Sequence, residues 1–155
     1  MQVTLDDGLS FKLDKDKKTA KITGSKFHRM IFFARNVIYK SQIYTITKIS
    51  KCAFKDNQFI KFIEFSNDSE LQSIGKNSFH GSSIQSITIP SNVKKIGDYA
   101  FYGCMDLKSV KFYEDSELQE IGKYSFYFTS LSAILIPSHV RNIGECAFLR
   151  CLDLK

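Results

Sequence analysis

No stretch of about twenty apolar residues occurs in this chain, which excludes a membrane-spanning helix. Its four cysteines form no Cys-x-x-Cys pair and no histidine pair matches them, so the spacing of a zinc site is absent. Glycines occur singly, never as a phosphate-cradling loop. His28, His80 and His139 fall in unrelated registers, and no serine, cysteine or carboxylate forms an evident triad with them. These absences predict neither an enzyme nor a bound metal or cofactor. The N-terminus, Met1 to Asp7, is polar and acidic and lacks the apolar centre of a signal peptide. That favours a cytoplasmic chain, or one whose leader lies outside the sequence.

What remains is ordinary in bulk and uneven in detail. A hydrophobic content of 43% and a charged content of 25% are those of a folded chain, and 155 residues suffice for one domain with a core. Acidic residues are scarce early on. Residues 1–61 carry 13 Lys and Arg against 5 Asp and Glu, whereas residues 62–155 carry 9 against 11. Lys12, Lys15, Lys17, Lys18, Lys21, Lys26 and Arg29 supply most of the excess. Such a face is either simply solvated or a patch for a polyanion, a sulfated glycan or nucleic acid. No nucleic-acid motif accompanies the charge.

The dominant feature is a repeat. Ile96-Gly97-Asp98-Tyr99-Ala100-Phe101 recurs at 74–79, 121–126 and 143–148, and more loosely at 49–54. The phenylalanines of these copies, Phe54, Phe79, Phe101, Phe126 and Phe148, lie 25, 22, 25 and 22 residues apart. Self-similarity at such a period is the mark of a solenoid. Each Phe is followed by an apolar-x-x-apolar-x-apolar stretch, at 60–65, 84–89, 107–112 and 131–136. Period-2 alternation turns Ile63/Phe65, Ile87/Ile89, Val110/Phe112 and Ile134/Ile136 inward, and stacking would pair the four stretches as parallel strands. Pro90 and Pro137 end two of these strands, because proline donates no ladder hydrogen bond. The alternate return paths, after Phe65 and Phe112, are three residues longer and should bulge outward. In the Ile-Gly-x-x-Ala/Ser-Phe segment glycine is expected to adopt a backbone conformation costly for other residues. A short 3₁₀ or helical turn is expected there.

Residues 1–48 fit the repeat poorly. Leu9–Leu13 and Thr19–Thr23 alternate as a hairpin, Ile31–Phe33 reads as a strand, and 37–39 with 43–46 as a second hairpin. The domain layout expected is a β-rich cap over 1–48 and about five repeats over 49–155, the last one truncated, in one continuous structural unit.

The pattern from Ile84 to Leu107, apolar-x-x-Ile-x-Ile-Pro-Ser-x-Val-x-x-Ile-Gly-x-x-Ala-Phe-x-Gly-Cys, resembles the leucine-rich repeats of BspA-like proteins, also called Treponema-pallidum-type repeats. Departures are Ser50 in place of glycine, the missing Gly-Cys after Phe54 and Phe126, and its partial loss after Phe148. The resemblance implies an α/β leucine-rich-repeat solenoid, predominantly β, with a parallel concave sheet, short 3₁₀ or helical turns and a β-rich N-terminal cap. It also implies non-enzymatic binding, protein–protein or host-surface recognition of the adhesin and surface-antigen kind, and hence a cell-surface or secreted location.

Register then assigns the remaining residues. Cys104 and Cys151 occupy one position two repeats apart, and Cys52 and Cys146 another position four repeats apart, too far for disulfides. Four free thiols are expected, with Cys104 and Cys151 buried. The outward residues of the concave strands are the candidate ligand-binding set: Met30, Phe32, Phe62, Glu64, Ser86, Thr88, Ser109, Lys111, Ala133 and Leu135, with Tyr113 one step beyond. The partner expected is a protein or host-surface ligand, with polyanion binding by the basic cap, or a purely structural place in a longer array, as alternatives. No polar unit covers the last repeat, so a homo-oligomer joined through its C-terminal end is a further expectation.

Overall fold

Strict alternation of apolar and polar residues builds the N-terminal strands, and a computed structural model describes all 155 residues. β1 (Gln2–Thr4), β2 (Leu9–Asp14) and β3 (Thr19–Ser25) form an antiparallel meander that turns Val3, Phe11, Leu13, Ala20 and Ile22 into the core. β4 (Met30–Phe33) follows, then a hairpin of β5 (Asn36–Tyr39) and β6 (Gln42–Ile49). From there the chain coils. Four-residue strands β7 (Phe62–Phe65), β9 (Ser86–Ile89) and β11 (Ser109–Phe112) alternate with two-residue strands β8 (Ser73–Ile74), β10 (Lys95–Ile96), β12 (Glu120–Ile121) and β13 (Asn142–Ile143).

Two sheets result. The longer strands stack in parallel in the order β4-β7-β9-β11. The short ones continue the sheet of the N-terminal strands, in the order β1-β2-β3-β6-β8-β10-β12-β13, with β5 on β6. The alternation inside the four-residue strands announced the first sheet. Two-residue strands carry no such periodicity, so the second was invisible in the sequence.

The repeated turn forms a third ladder, and here the structure corrects the sequence. Residues 51–56, 76–81, 98–103, 123–128 and 145–150 are successive β-turns, with no α- or 3₁₀-helix. In the third coil Ala100 N–H bonds to Gly97 C=O at 3.2 Å and Tyr102 N–H to Tyr99 C=O at 3.2 Å. Alternate amides point along the solenoid instead: Asn77, Phe79 and Gly81 donate to Asp98, Ala100 and Tyr102 at 3.0, 2.7 and 2.8 Å. A helix would have satisfied those amides within its own coil.

The glycine expectation fails for the same reason. Positive φ falls on the second residue of each turn, Cys52, Asn77, Tyr99, Tyr124 and Cys146, and not on Gly75, Gly97, Gly122 or Gly144. Those four glycines are needed for close approach. A Cβ on Gly97 would lie 2.7 Å from Lys76 N and 2.9 Å from Gly75 C of the preceding coil.

Inside the turns the phenylalanines form one spine. Phe54, Phe79, Phe101, Phe126 and Phe148 stack nearly parallel, with centroids 5.0, 5.0, 5.2 and 5.3 Å apart. Offset stacking at this separation is favourable beyond the area it buries. Cys104 and Cys151 close the turns as free, buried thiols, donating to Phe79 C=O and Phe126 C=O at 2.9 and 3.0 Å. One apolar core of 34 buried residues runs from Val3 to Cys151.

The expected strand at 131–136 does not form. Leu131 is anchored in the core, but Ile134 is only half-buried and Ile136 is 38% exposed. Its one backbone tie is Lys155 N–H to Ser132 C=O at 3.2 Å, and nothing bonds it to β11. The inward side chains that hold β9 in place gain too little burial here to hold a strand.

Candidate functional site

The outward residues of the four-stranded sheet fall into two rows fixed by parallel register. Met30, Phe62, Ser86 and Ser109 are neighbours across β4, β7, β9 and β11. In the second row Phe32 lies beside Glu64, and Thr88 beside Lys111. Alternation dictates this face, since Ile31, Phe33, Ile63, Phe65, Ile87, Ile89 and Val110 point the other way and are buried.

Between the two middle strands the sheet opens. β4–β7 and β9–β11 pair over four residues each, but β7 and β9 pair only through Phe62↔Ser86 and Ile63↔Ile87. β7 leads into one of the longer return paths, whereas β9 ends at Pro90. Beyond the parting lies a cleft of about 450 Å³, lined by Phe32, Glu64, Phe65, Ser66, Asn67, Thr88 and Tyr113. Phe32 and Tyr113 are 58% and 42% exposed, large rings left uncovered on a face that also carries a carboxylate. Glu64 has no ion-pair partner. Ser66 Oγ is enclosed there without a hydrogen-bond partner.

Phe32, Glu64, Thr88 and Tyr113, all named from the sequence, thus converge on one cleft. Met30, Phe62, Ser86, Ser109 and Lys111 continue the same face to either side. The N-terminal strands leave Phe32 open. Ala133 and Leu135 are not brought into the rows: they stand across a gap of about 400 Å³ from β11, with Leu135 90% exposed.

Two features escaped the sequence reading. Ser66 and Asn67 belong to an irregular return path, so no register pointed to them. The turns also carry a second aromatic file, His80–Tyr102–Tyr127 with centroids 4.8 and 4.9 Å apart, beside Tyr99–Tyr124 at 5.3 Å. The 25-residue spacing of both tyrosine pairs would have revealed it. The neighbouring Cys146 side chain, and then the charge of Glu145, push the Tyr124 phenol up to about 12.

Solved structures share this architecture. A leucine-rich repeat protein from Bacteroides ovatus superposes with a TM-score of 0.86 at 28% identity, over 97% of this chain and 39% of its own. The pneumococcal vaccine antigen PcpA gives 0.78 at 18% identity, over 97% and 47% of the two chains. The T. pallidum leucine-rich repeat protein gives 0.83 at 23% identity, over 97% and 68%. The present chain therefore spans less than half the length of the first two. No curated protein matched in a sequence search. Residues 25–155 match the BspA type leucine-rich repeat region in six copies, and the chain belongs to that family.

Proposed function

We propose that the chain is a non-enzymatic recognition module that binds a protein or host-surface ligand through the outward face of its four-stranded sheet. The observation that carries this reading is the cleft where β7 and β9 part, with Phe32 and Tyr113 exposed beside the unpaired Glu64 carboxylate. Exposed rings next to a few polar groups resemble the anchors of protein interfaces, where aromatic side chains contribute most of the binding energy. The flanking residues, Met30, Phe62, Ser86, Ser109 and Lys111, would form the surround that excludes water. A neighbour in fold being described as a vaccine antigen is consistent with display at a cell surface.

The test compares the domain with a Phe32→Ser/Glu64→Gln/Tyr113→Ser variant as bait in pull-downs from host-surface and cytosolic extracts. The site predicts at least a tenfold loss of the captured ligand with unchanged circular dichroism. Undiminished capture would move recognition off this face.

A further inference from the structure

The sheet of the N-terminal strands carries a feature unrelated to that cleft. Lys12 on β2 lies directly opposite Lys21 on β3, and Lys21 directly opposite Lys48 on β6. The three strands are consecutive in the sheet, and all three lysines are exposed. Their backbone positions form a row across the three strands at the strand spacing of about 4.8 Å. None takes part in an ion pair. Like charges directly opposite one another destabilise a sheet, so the row is a local conflict that the fold itself does not require.

We propose that this row is a binding site for a linear sulfated glycan running across the strands. The surroundings narrow the class. The hydroxyls of Thr4, Ser10 and Thr23 flank the row on one side, and those of Thr19 and Thr45 on the other. Gln2 stands next to Lys12 and donates to Thr23 Oγ1 at 2.7 Å. Hydroxyl and amide side chains suit the hydroxyl groups of a sugar polymer. A single-stranded nucleic acid would need rings on which its bases could stack, and the outward positions of β2 and β3 carry none. The one carboxylate beside the row is Asp14, which accepts the Lys17 N–H at 3.1 Å. Farther along the same row, Lys95 is already paired with Glu120 at 2.8 Å.

The experiment measures affinity for a heparin-derived dodecasaccharide, its desulfated counterpart and a single-stranded oligonucleotide of equal charge. Three variants are compared: the unmodified domain, Lys12→Gln/Lys21→Gln/Lys48→Gln, and the turn set Lys15→Gln/Lys17→Gln/Lys18→Gln, which makes the same change in charge. The row set should weaken glycan binding at least tenfold and the turn set less than threefold. The row variant should also unfold at an equal or higher temperature, because the opposed charges are gone. Release of three counterions predicts a loss of roughly 10- to 40-fold in affinity between about 50 and 200 mM salt. Equal losses from both sets would reduce the effect to diffuse charge and overturn the site. Equal or tighter binding of the oligonucleotide, or undiminished binding of the desulfated glycan, would also overturn it.

Discussion

Two glycines in one coil, Gly97 and Gly103, should respond to the same substitution for different reasons. A Cβ at Gly97 meets backbone of the preceding coil, 2.7 Å from Lys76 N, 2.9 Å from Gly75 C and 3.1 Å from Ile74 O. Ordinary contact begins near 3.4 Å, so the coils must part by several tenths of an ångström. That movement pulls on the Gly97 N–H to Ile74 C=O bond of 2.9 Å and on the β8–β10 pairing beside it. Overpacking against an unyielding neighbour costs about 1–3 kcal/mol, and a weakened ladder bond about 0.5–1.5 more. The smaller entropy of an unfolded chain with alanine returns about 0.4–1. Gly97→Ala should therefore lose about 2–3 kcal/mol. At Gly103 a Cβ meets nothing within 4 Å, but φ is +67°. Only the left-handed backbone resists there, at about 1–2 kcal/mol before the same entropic return, so Gly103→Ala should lose about 1.

Asparagine separates the two causes, because it tolerates left-handed backbone and still carries a Cβ. Gly103→Asn should restore most of the loss, while Gly97→Asn should be at least as damaging as alanine. Urea unfolding monitored by circular dichroism measures all four, with a midpoint shift near 1 M for Gly97→Ala at a slope of about 2 kcal/mol/M. Rescue of position 97 by asparagine, or a smaller loss there than at 103, would refute close approach as the reason for glycine at position 97.

Phe101→Ala removes a fully buried ring from the middle of the spine and should cost about 3–5 kcal/mol in the same assay. That is a large share of a total of roughly 5–15, and a loss below 1 would mean that the stack is not the core. The Cys104 thiol, pushed by burial up to about 12 from an ordinary 9.0, links stability to alkaline pH. Below pH 9 the thiol is protonated in both states. Above it the unfolded chain loses the proton first, so stability should fall by roughly 1.4 kcal/mol per pH unit between about 9 and 12. Cys104→Ser should flatten that slope relative to the unmodified protein when unfolding midpoints are compared at pH 8 and 10.

Much of this protein is determined by sequence alone, because a solenoid coil is a local object. The period of Phe54, Phe79, Phe101, Phe126 and Phe148 sets the coil length. The alternation at Ile63/Phe65, Ile87/Ile89 and Val110/Phe112 sets which residues face inward. The same alternation places Phe32, Glu64 and Thr88 on the outward face, and Tyr113 one step beyond lines the same cleft. What depends on contacts between coils was not legible. Gly97 reads as a turn residue until the Lys76 amide is seen beneath it, and the turn reads as helical until its amides are seen to point along the stack. Residues 131–136 have the pattern of a strand but not the burial to make one. The parting of β7 from β9, with Ser66 and Asn67 in the cleft, depends on loops of unequal length. Lys12, Lys21 and Lys48 are 9 and 27 residues apart and become one row only through an antiparallel and then a parallel pairing, the second with its register shifted at Ala20/Lys21. Period and alternation are properties of a single coil. Pairing register and close approach are properties of two coils together, and only the tertiary structure decides them.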